Sequence, residues 1–248
     1  MKAAAGGRVV VAIHQPNFFP WLGFFDKLER CDRFVLLDTT QHQKKGGTLS
    51  NRVKLLVGGE ARWVTAPIDR AYHGVRPTGA IRFDSRAPWR GKLLKTLTAN
   101  YAGAPFEGET MALIGPLVAD PDDRLASYNR KAVEAISRAL GIDTGKIVAA
   151  SELAVEGAGN ELLIRLTRHV GGTAYMSGGG SQGYQIDELF AEAGLGLLFQ
   201  DFVHPGYPQH NNPGGFVAGL SVIDALMNLG VAGCRALLEG GSACRRQK

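Results

Sequence analysis

The sequence has few cysteines and no long apolar run, and both shortages exclude classes of protein. Cys31, Cys234 and Cys244 are scattered over 248 residues without a C-x-x-C pair, so neither a disulfide framework nor a cysteine-based zinc site is expected. No apolar run approaches the roughly 20 residues that a membrane helix needs. Residues 1–7 also lack the apolar core of a signal peptide. We therefore expect a cytoplasmic protein that does not insert into membranes.

The sequence also has only a small excess of positive over negative charge. The formal net charge is +5, but Arg245, Arg246 and Lys248 supply three of those charges, which leaves +2 for the rest of the chain. This small excess is a weak basis for a nucleic-acid-binding surface. It is compatible with an acidic partner or a phosphate-bearing ligand.

What is present is an alternation of apolar runs and amphipathic segments, in a composition that is 45% hydrophobic and 21% charged. The apolar runs predict strands at 9–13, 33–38, 146–150, 173–177 and 196–202. Helical spacing predicts helices at 21–28, 87–101, 128–140, 160–170, 186–193 and 220–229. Two further apolar runs, 53–57 and 62–68, are joined by a Gly-Gly pair and predict a hairpin.

This order predicts an α/β fold with a mainly parallel open sheet, helices on both faces and an antiparallel hairpin excursion. We expect a flexible N-terminus at 1–8, one domain at 9–232 and a basic C-terminal tail at 233–248.

The opening stretch, residues 9–25, reads VVVAIHQPNFFPWLGFF and contains the first candidate catalytic residue. Its β-branched run must end near His14, because Pro16 and Pro20 cannot continue a central strand. Ligands of open parallel sheets bind at the carboxyl ends of the strands, and an imidazole exchanges protons near neutral pH. His14 is therefore a candidate general base. The alternative is a histidine whose ring is satisfied by a neighbouring carbonyl.

Four of the predicted strands are followed at once by polar side chains with glycine or proline. If these strands are parallel, their loops meet at one edge of the sheet and can build one site. The candidate binding residues are Gln15, Asn17, Gln41, Asn51, Arg52, Lys54, Ser177, Gly178, Gly179, Tyr184, His204, Tyr207 and Gln209.

Several of these features have simpler readings. The glycine-rich run at 178–183 lacks the lysine and Ser/Thr of a P-loop, although its N–H groups suit an oxyanion or phosphate nest. His204 and His210 do not have a metal-ligand spacing, so no metal is expected. Arg52 and Lys54 can equally be a solvated strand face. Cys31 has no histidine nearby in sequence and is not taken as a nucleophile.

The motifs together resemble the WbqC-like protein family over about residues 9–230. The opening HQPNFFPWLGFFDK at 14–27 is the most specific of them. The others are 34–38 with Gln41, Asn51-Arg52, Trp63 with Pro67, Tyr101 with Pro105-Phe106, Ser177-Gly178 with Tyr184, Tyr207-x-Gln209, and Ser221-x-x-Asp224-x-x-x-Asn228. The chain departs from the family pattern at Thr39-Thr40, at 42–48 and in the glycines of 178–180.

The resemblance implies an association with bacterial O-antigen and surface-polysaccharide gene clusters, and a glycine or aminoacyl transferase role. We therefore expect acyl transfer onto an amine or hydroxyl of a small acceptor, in polysaccharide or secondary-metabolite biosynthesis and without a cofactor. The resemblance does not identify the acyl donor. The acyl group can be carried on a carrier protein or supplied as an aminoacyl-tRNA, and both alternatives stay open.

In this hypothesis His14 is the general base and Asp38 orients its ring, as the acid does in a hydrolytic triad. Gly178 and Gly179, with Asn51 or Gln15, would stabilise the oxyanion. Arg52 and Lys54 would hold an anionic group of the donor. Four side chains would shape the acceptor pocket: Tyr184, His204, Tyr207 and Gln209.

A rival hypothesis is a nucleotide or nucleotide-sugar binding transferase, in which the histidine after the first strand faces phosphates. That arrangement loosely resembles the nucleotidyltransferase type of α/β fold. A third is a non-catalytic assembly factor, for which replacing His14 and Asp38 would leave pathway flux unchanged.

Overall fold

The structure is a computed structural model that describes residues 7–43, 48–178, 186–240 and, for the backbone alone, 244–246. Its strands are β1 (Val10–His14), β2 (Arg33–Leu36), β3 (Arg52–Val57), β4 (Glu60–Thr65), β5 (Ile147–Ala149), β6 (Ala174–Gly178), β7 (Gly196–Gln200) and β8 (Cys244–Arg246). Its helices are α1 (Leu22–Glu29), α2 (Trp89–Tyr101), α3 (Glu107–Ala119), α4 (Leu125–Ala139), α5 (Gly159–His169), α6 (Asp187–Glu192) and α7 (Val222–Glu239).

Six of the described strands form one sheet in the order β5-β2-β1-β6-β7-β8, in which β8 runs antiparallel to its neighbour β7. The central strand β1 pairs in parallel with β2 on one side and β6 on the other. Counted along the chain, the five parallel strands therefore follow the order 3-2-1-4-5. This is a doubly wound sheet whose winding reverses between β1 and β6, which is the topological switch point.

The sheet is covered on both faces, as the two-residue alternation of β1 shows. Val11 and Ile13 pack into a core cluster with residues of α5 and α6. Ala12 points into the larger cluster, which contains the buried residues of α1, α2, α3, α4 and α7. The predicted α/β sheet with helices on both faces is confirmed.

The predicted hairpin is also confirmed, as β3 and β4 form a separate two-stranded antiparallel sheet. Leu55 and Leu56 of β3 are buried in the large cluster, and the backbone N–H of Leu56 donates to Tyr101 Oη of α2 over 3.3 Å. The opposite strand β4 is largely exposed. The hairpin is thus attached to the helical side of the sheet through β3.

The aromatic residues after β1 form the centre of the larger core. Phe18, Phe19, Phe24 and Phe25 are each at most 1% exposed. The Phe18 ring stacks on Tyr128 with centroids 5.9 Å apart. The β1–α1 connection is therefore fixed by packing on α4, which makes the carboxyl end of β1 a rigid place for a side chain.

The helix α3 is not predicted from the sequence. Gly108, Gly115 and Pro116 interrupt its helical pattern, because glycine and proline are the weakest helix formers. Tertiary packing overrides this weakness, since Thr110, Ile114 and Val118 lie four residues apart on one buried stripe.

The last helix continues beyond the point where the sequence pattern places the basic tail. α7 ends at Glu239, and Cys234 and Leu238 are buried against the core. Residues 244–246 then pair with β7. At Gly230 the helix is kinked, with φ 66° and ψ −177°. The predicted flexible N-terminus, 1–8, lies almost entirely outside the described residues.

Within the described parts of the chain, no helix is both long enough and apolar enough to cross a bilayer.

Candidate functional site

A cleft of about 530 Å³ opens at the carboxyl edge of the sheet, at the switch point between β1 and β6. His14 ends β1 and Gly178 ends β6, and both line the cleft. Doubly wound sheets bind their ligands in this position. One wall comes from the loop after β2 and the other from the start of α5. The lining includes Gln15, Asn17, Lys27, Thr40, Gln41, His42, Gln43, Gly159, Leu162 and Tyr175.

The protonation of the His14 ring is set by a backbone contact. Nδ1 lies 3.0 Å from the carbonyl oxygen of Gln15, and because a carbonyl only accepts, Nδ1 carries the proton. Nε2 therefore presents its lone pair. Burial, followed by the charge of Lys27, lowers the pKa of His14 to about 4, against a smaller raising effect of the Gln15 contact. At neutral pH the ring is an uncharged acceptor at Nε2.

Lys27 brings a buried ammonium group to the same cleft. The residue is 2% exposed, and its Nζ donates to the Ile13 carbonyl over 3.1 Å. Nζ also lies 6.0 Å from the centroid of the Tyr175 ring. Burial lowers the pKa of Lys27 to about 8. We did not predict this residue, although a lysine in the apolar helix sequence LGFFDKLE was a signal that could have found it.

His42 adds a second imidazole from the loop after β2. It is 3% exposed, and neither ring nitrogen has a hydrogen-bond partner among the described residues. Burial, followed by the charge of Arg70, lowers the pKa of His42. A neutral imidazole has one donor and one acceptor. The cleft therefore contains a polar group that a ligand can satisfy.

The structure brings five of the predicted site residues to the cleft: His14, Gln15, Asn17, Gln41 and Gly178. The Gln15 amide donates to Thr40 Oγ1 over 3.4 Å, which joins the two loops. Ser177 is fully buried beneath this edge. Gly179 and Tyr184, predicted for the oxyanion nest and the acceptor pocket, lie outside the described residues.

Asp38 does not orient the His14 ring. Its carboxylate accepts from the backbone N–H of Ser151 over 2.9 Å and from Ser151 Oγ over 2.6 Å. It lines a separate pocket of about 290 Å³ between β2 and β5. The expectation of a His14–Asp38 pair is corrected, because the Gln15 carbonyl occupies the position at Nδ1.

Three predicted residues lie at the hairpin. Asn51 has a structural role, since its side-chain amide donates to the backbone carbonyl of Ala66 over 3.0 Å. The Arg52 guanidinium lies 4.2 Å and the Lys54 ammonium 5.1 Å from the Trp63 ring. These groups line a small pocket of about 40 Å³ that shares Asn17 with the cleft. Arg52 and Lys54 thus stand beside the cleft and outside its lining.

Tyr207 and Gln209 belong to a buried network around Asp224. Tyr207 Oη donates to Asp224 Oδ2 over 2.7 Å, and Gln209 Nε2 donates to the same oxygen over 3.0 Å. Tyr101 Oη donates to Oδ1 over 2.8 Å. Burial raises the pKa of Asp224, and these hydrogen bonds offset part of that rise. Neither Tyr207 nor Gln209 lines the cleft. The role expected for them in the pocket of the acceptor substrate is therefore replaced by a structural role.

His204 lies in an aromatic cluster. Its ring stacks on Trp21 at 6.2 Å between centroids and packs near Phe216 at 5.3 Å. Nδ1 contacts the Pro205 carbonyl at 3.1 Å. The predicted convergence of His204 with His14 is therefore not found.

Among the described residues there is no group of three or more histidine, cysteine or acidic side chains that could hold a metal. Cys31 is buried, and burial raises the pKa of its thiol to about 12. A thiol with that pKa stays protonated and is a poor nucleophile.

Comparison with known proteins connects this cleft to a family. The model of the WbqC-like protein family matches residues 15–236. The chain belongs to the WbqC-like protein family. It is also similar to the uncharacterized protein Rv1507c of Mycobacterium tuberculosis (strain ATCC 25618 / H37Rv). The two are 29% identical over 226 residues, which cover 89% of this chain and 94% of the relative. No solved structure matches the chain significantly.

The motifs of this WbqC-like chain divide between the cleft and the core. The opening motif at 14–27 supplies His14, Gln15, Asn17 and Lys27 to the cleft. The motifs near the end instead build the buried network, in which Asn228 Nδ2 donates to the Asp224 carbonyl over 2.7 Å.

Proposed function

We propose that this WbqC-like chain is a transferase that moves an acyl or aminoacyl group onto an amine or hydroxyl of a small acceptor. The observation that carries the proposal is the orientation of the His14 ring. The Gln15 carbonyl holds Nδ1 protonated, and Nε2 is left as a lone-pair acceptor on a residue that lines the switch-point cleft. A general base needs a fixed lone pair within reach of the proton it removes.

In the proposed step the acceptor nitrogen or oxygen attacks the acyl carbonyl carbon and forms the new amide or ester bond. Its proton passes to His14 Nε2, and the negative charge collects on the carbonyl oxygen. The tetrahedral intermediate then collapses, the bond to the leaving group breaks, and the proton on Nε2 passes to that group. An imidazole with a lowered pKa releases this proton readily.

Polar donors around the cleft suit the oxyanion. Gln15 and Asn17 both line it, whereas Asn51 lies outside its lining. Gln15 Nε2 bonds to Thr40 Oγ1 over 3.4 Å, which leaves its second N–H for the oxyanion. Removal of a single oxyanion donor typically costs about 3 kcal/mol of transition-state stabilisation. Gln15 and Asn17 therefore replace Asn51 in the proposal.

The proposal is tested with His14→Gln, which removes the base and keeps a polar side chain. Aminoacyl thioesters on a carrier protein and aminoacyl-tRNA are each offered with an amino-sugar acceptor, and the product is detected by mass spectrometry. We expect kcat to fall by at least ~100-fold. His169→Gln, the same change at the exposed end of α5, is the matched control and should keep full turnover. Equal rates for His14→Gln and wild type would remove His14 from the mechanism.

The nucleotide or nucleotide-sugar hypothesis is supported by a different observation. The parallel strands follow the first five positions of the 3-2-1-4-5-6 order of dinucleotide-binding folds. Calorimetric titration with nucleotides and nucleotide sugars separates the two proposals. Saturable binding that is lost in His14→Gln would favour this second function, and the absence of binding heat would favour acyl transfer.

A further inference from the structure

The cleft contains a buried positive charge without a counter-ion. Among the described residues that line the cleft, Lys27 is the one lysine, and there is no arginine, aspartate or glutamate. Its Nζ bonds to the Ile13 carbonyl, and no ion pair joins it to a carboxylate of the described chain. Burying an ammonium group is costly unless it is paired.

The neighbouring acid cannot provide that pairing. Asp26 is 1% exposed, and its carboxylate accepts from Arg30 Nε over 2.6 Å and from Gln200 Nε2 over 2.7 Å. Adjacent residues of α1 therefore have separate partners, with Asp26 tied to Arg30 and Gln200 and Lys27 lining the cleft.

The remaining parts of the sequence also contain no candidate acid. Residues 1–6, 44–47, 179–185, 241–243 and 247–248 include neither aspartate nor glutamate. No acidic side chain of this protein is therefore left to neutralise Lys27. A ligand that enters the cleft can supply the counter-ion.

The surroundings of Nζ have room for such a ligand. Gly178 ends β6 beside the ammonium, and a Cβ at this position would lie 3.8 Å from Nζ. The missing side chain keeps this approach open. On the same cleft, the unpartnered His42 ring can donate one further hydrogen bond.

We infer that Lys27 anchors a carboxylate of the ligand, with the His42 ring as a second donor in the same cleft. One ammonium and one neutral imidazole match a group with a single negative charge and two acceptor oxygens. A phosphate dianion carries more negative charge than one ammonium neutralises, and Lys44 and Lys45, between the lining residues Gln43 and Thr48, lie outside the described residues, so inorganic phosphate enters the test as the alternative anion. The inference rests on the proposed function in taking this cleft as the substrate site, and it narrows one of the two substrates to molecules that carry a free carboxylate besides the group that reacts.

The test uses binding and does not need turnover. N-acetylglycine and N-acetylglycinamide differ only in the carboxylate, and inorganic phosphate is the alternative anion. Binding of each probe is followed by NMR on the ring signals of His14, in wild type, Lys27→Met and Lys27→Arg. We expect N-acetylglycine to bind at least ~10-fold more tightly than the amide. Lys27→Met should abolish this preference, and Lys27→Arg, which keeps the charge, should retain part of it.

The inference is overturned if both glycine derivatives bind equally, if Lys27→Met keeps the preference, if phosphate binds more tightly than the carboxylate, or if none of the probes binds. Lys27→Arg keeps the inference testable if the methionine variant does not fold, because it changes the side chain and keeps the positive charge. The two proposals fail separately. Carboxylate binding at Lys27 without amide or ester formation would count against the transferase alone, and turnover that is unaffected by Lys27→Met would count against the anchor alone.

Discussion

The neutrality of the His14 ring connects one residue to the stability of the fold. Its pKa is lowered from 6.5 to about 4, so the unfolded chain binds this proton more readily than the folded one. The contribution of the neutral His14 ring to the free energy of unfolding is therefore complete above pH 6.5 and is lost as the pH falls through about 4. A shift of this size corresponds to a free energy on the order of 3 kcal/mol.

The prediction is that wild type loses free energy of unfolding between pH 6.5 and 4 more steeply than His14→Gln, which cannot take up the proton. Urea unfolding of both proteins across this range measures the difference, and the other titrating groups cancel in it. Parallel pH curves for the two proteins would contradict the neutral His14 ring.

A second prediction at this scale concerns the hydroxyl of Tyr207, which donates to the buried Asp224 carboxylate. Tyr207→Phe should lower the free energy of unfolding by about 1–3 kcal/mol, because Asp224 loses one of its donors inside the protein. Tyr128→Phe is the matched control. The Tyr128 hydroxyl is buried without a hydrogen-bond partner among the described residues, so its removal should be neutral or stabilising. Chemical denaturation that gives equal losses for both variants would argue against a structural role for the network.

Single residues also show how far the sequence could predict the site. The prolines after β1 locate His14 at a strand end. Gln15, Asn17 and Gln41 were predicted in the same way, because they lie in loops that follow parallel strands. Lys27 was missed because a lysine on a short helix is normally solvated. The Ser151 contact that engages Asp38 joins residues 113 positions apart, a distance that no local pattern reports.

At the scale of elements, the kink of α7 makes a testable claim about Gly230. A Cβ there would lie 2.5 Å from Phe106 Cδ1, and φ is 66°. Gly230→Ala should therefore destabilise the protein by at least ~2 kcal/mol, through backbone strain and overpacking. Gly91→Ala in α2 meets nothing within 4 Å and should stabilise by about 0.5–1 kcal/mol. Thermal unfolding that shifts both variants in the same direction would contradict this view of the kink.

Elements with a strong pattern were predictable, and elements held mainly by packing were not. α4 follows from its apolar stripe, with Val133, Ile136 and Leu140 buried. α3 gives no such signal, because glycine and proline interrupt it and its stability comes from packing against α7 and α2. The end of α7 is similar, because Gly230 and Gly233 weaken a pattern that burial of Cys234 and Leu238 restores.

At the scale of the whole molecule, the C-terminal segment contains the end of α7, which contributes to the core, and the strand β8, which extends the sheet. Removal of residues 233–248 takes Cys234 and Leu238 from the core and should cost at least ~3 kcal/mol. Removal of residues 241–248 takes away the strand β8, which pairs with β7, and should cost less. Guanidinium unfolding of both truncations checks the order. A shorter truncation that is as damaging as the longer one would show that β8 is essential.

The topology follows from the sequence more completely than the site does. Alternating apolar runs and helices predict a parallel sheet with its loops at one edge, and the structure confirms this. They do not give the strand order, which decides which loops become neighbours. Because β1 and β6 are adjacent, Gly178 and His14 line the same cleft, whereas the loop after β7 takes His204 to the cluster around Trp21.

The opening motif at 14–27 has a consequence for redesign. It supplies His14 and Lys27 to the cleft and, within the same fourteen residues, the phenylalanines of the largest core cluster. Libraries that alter substrate range would therefore risk expression failures if they were built there. The opposite wall, Thr40–Gln43 with Gly159–Leu163, has more exposed side chains and offers positions where new specificities can be selected with less harm to folding.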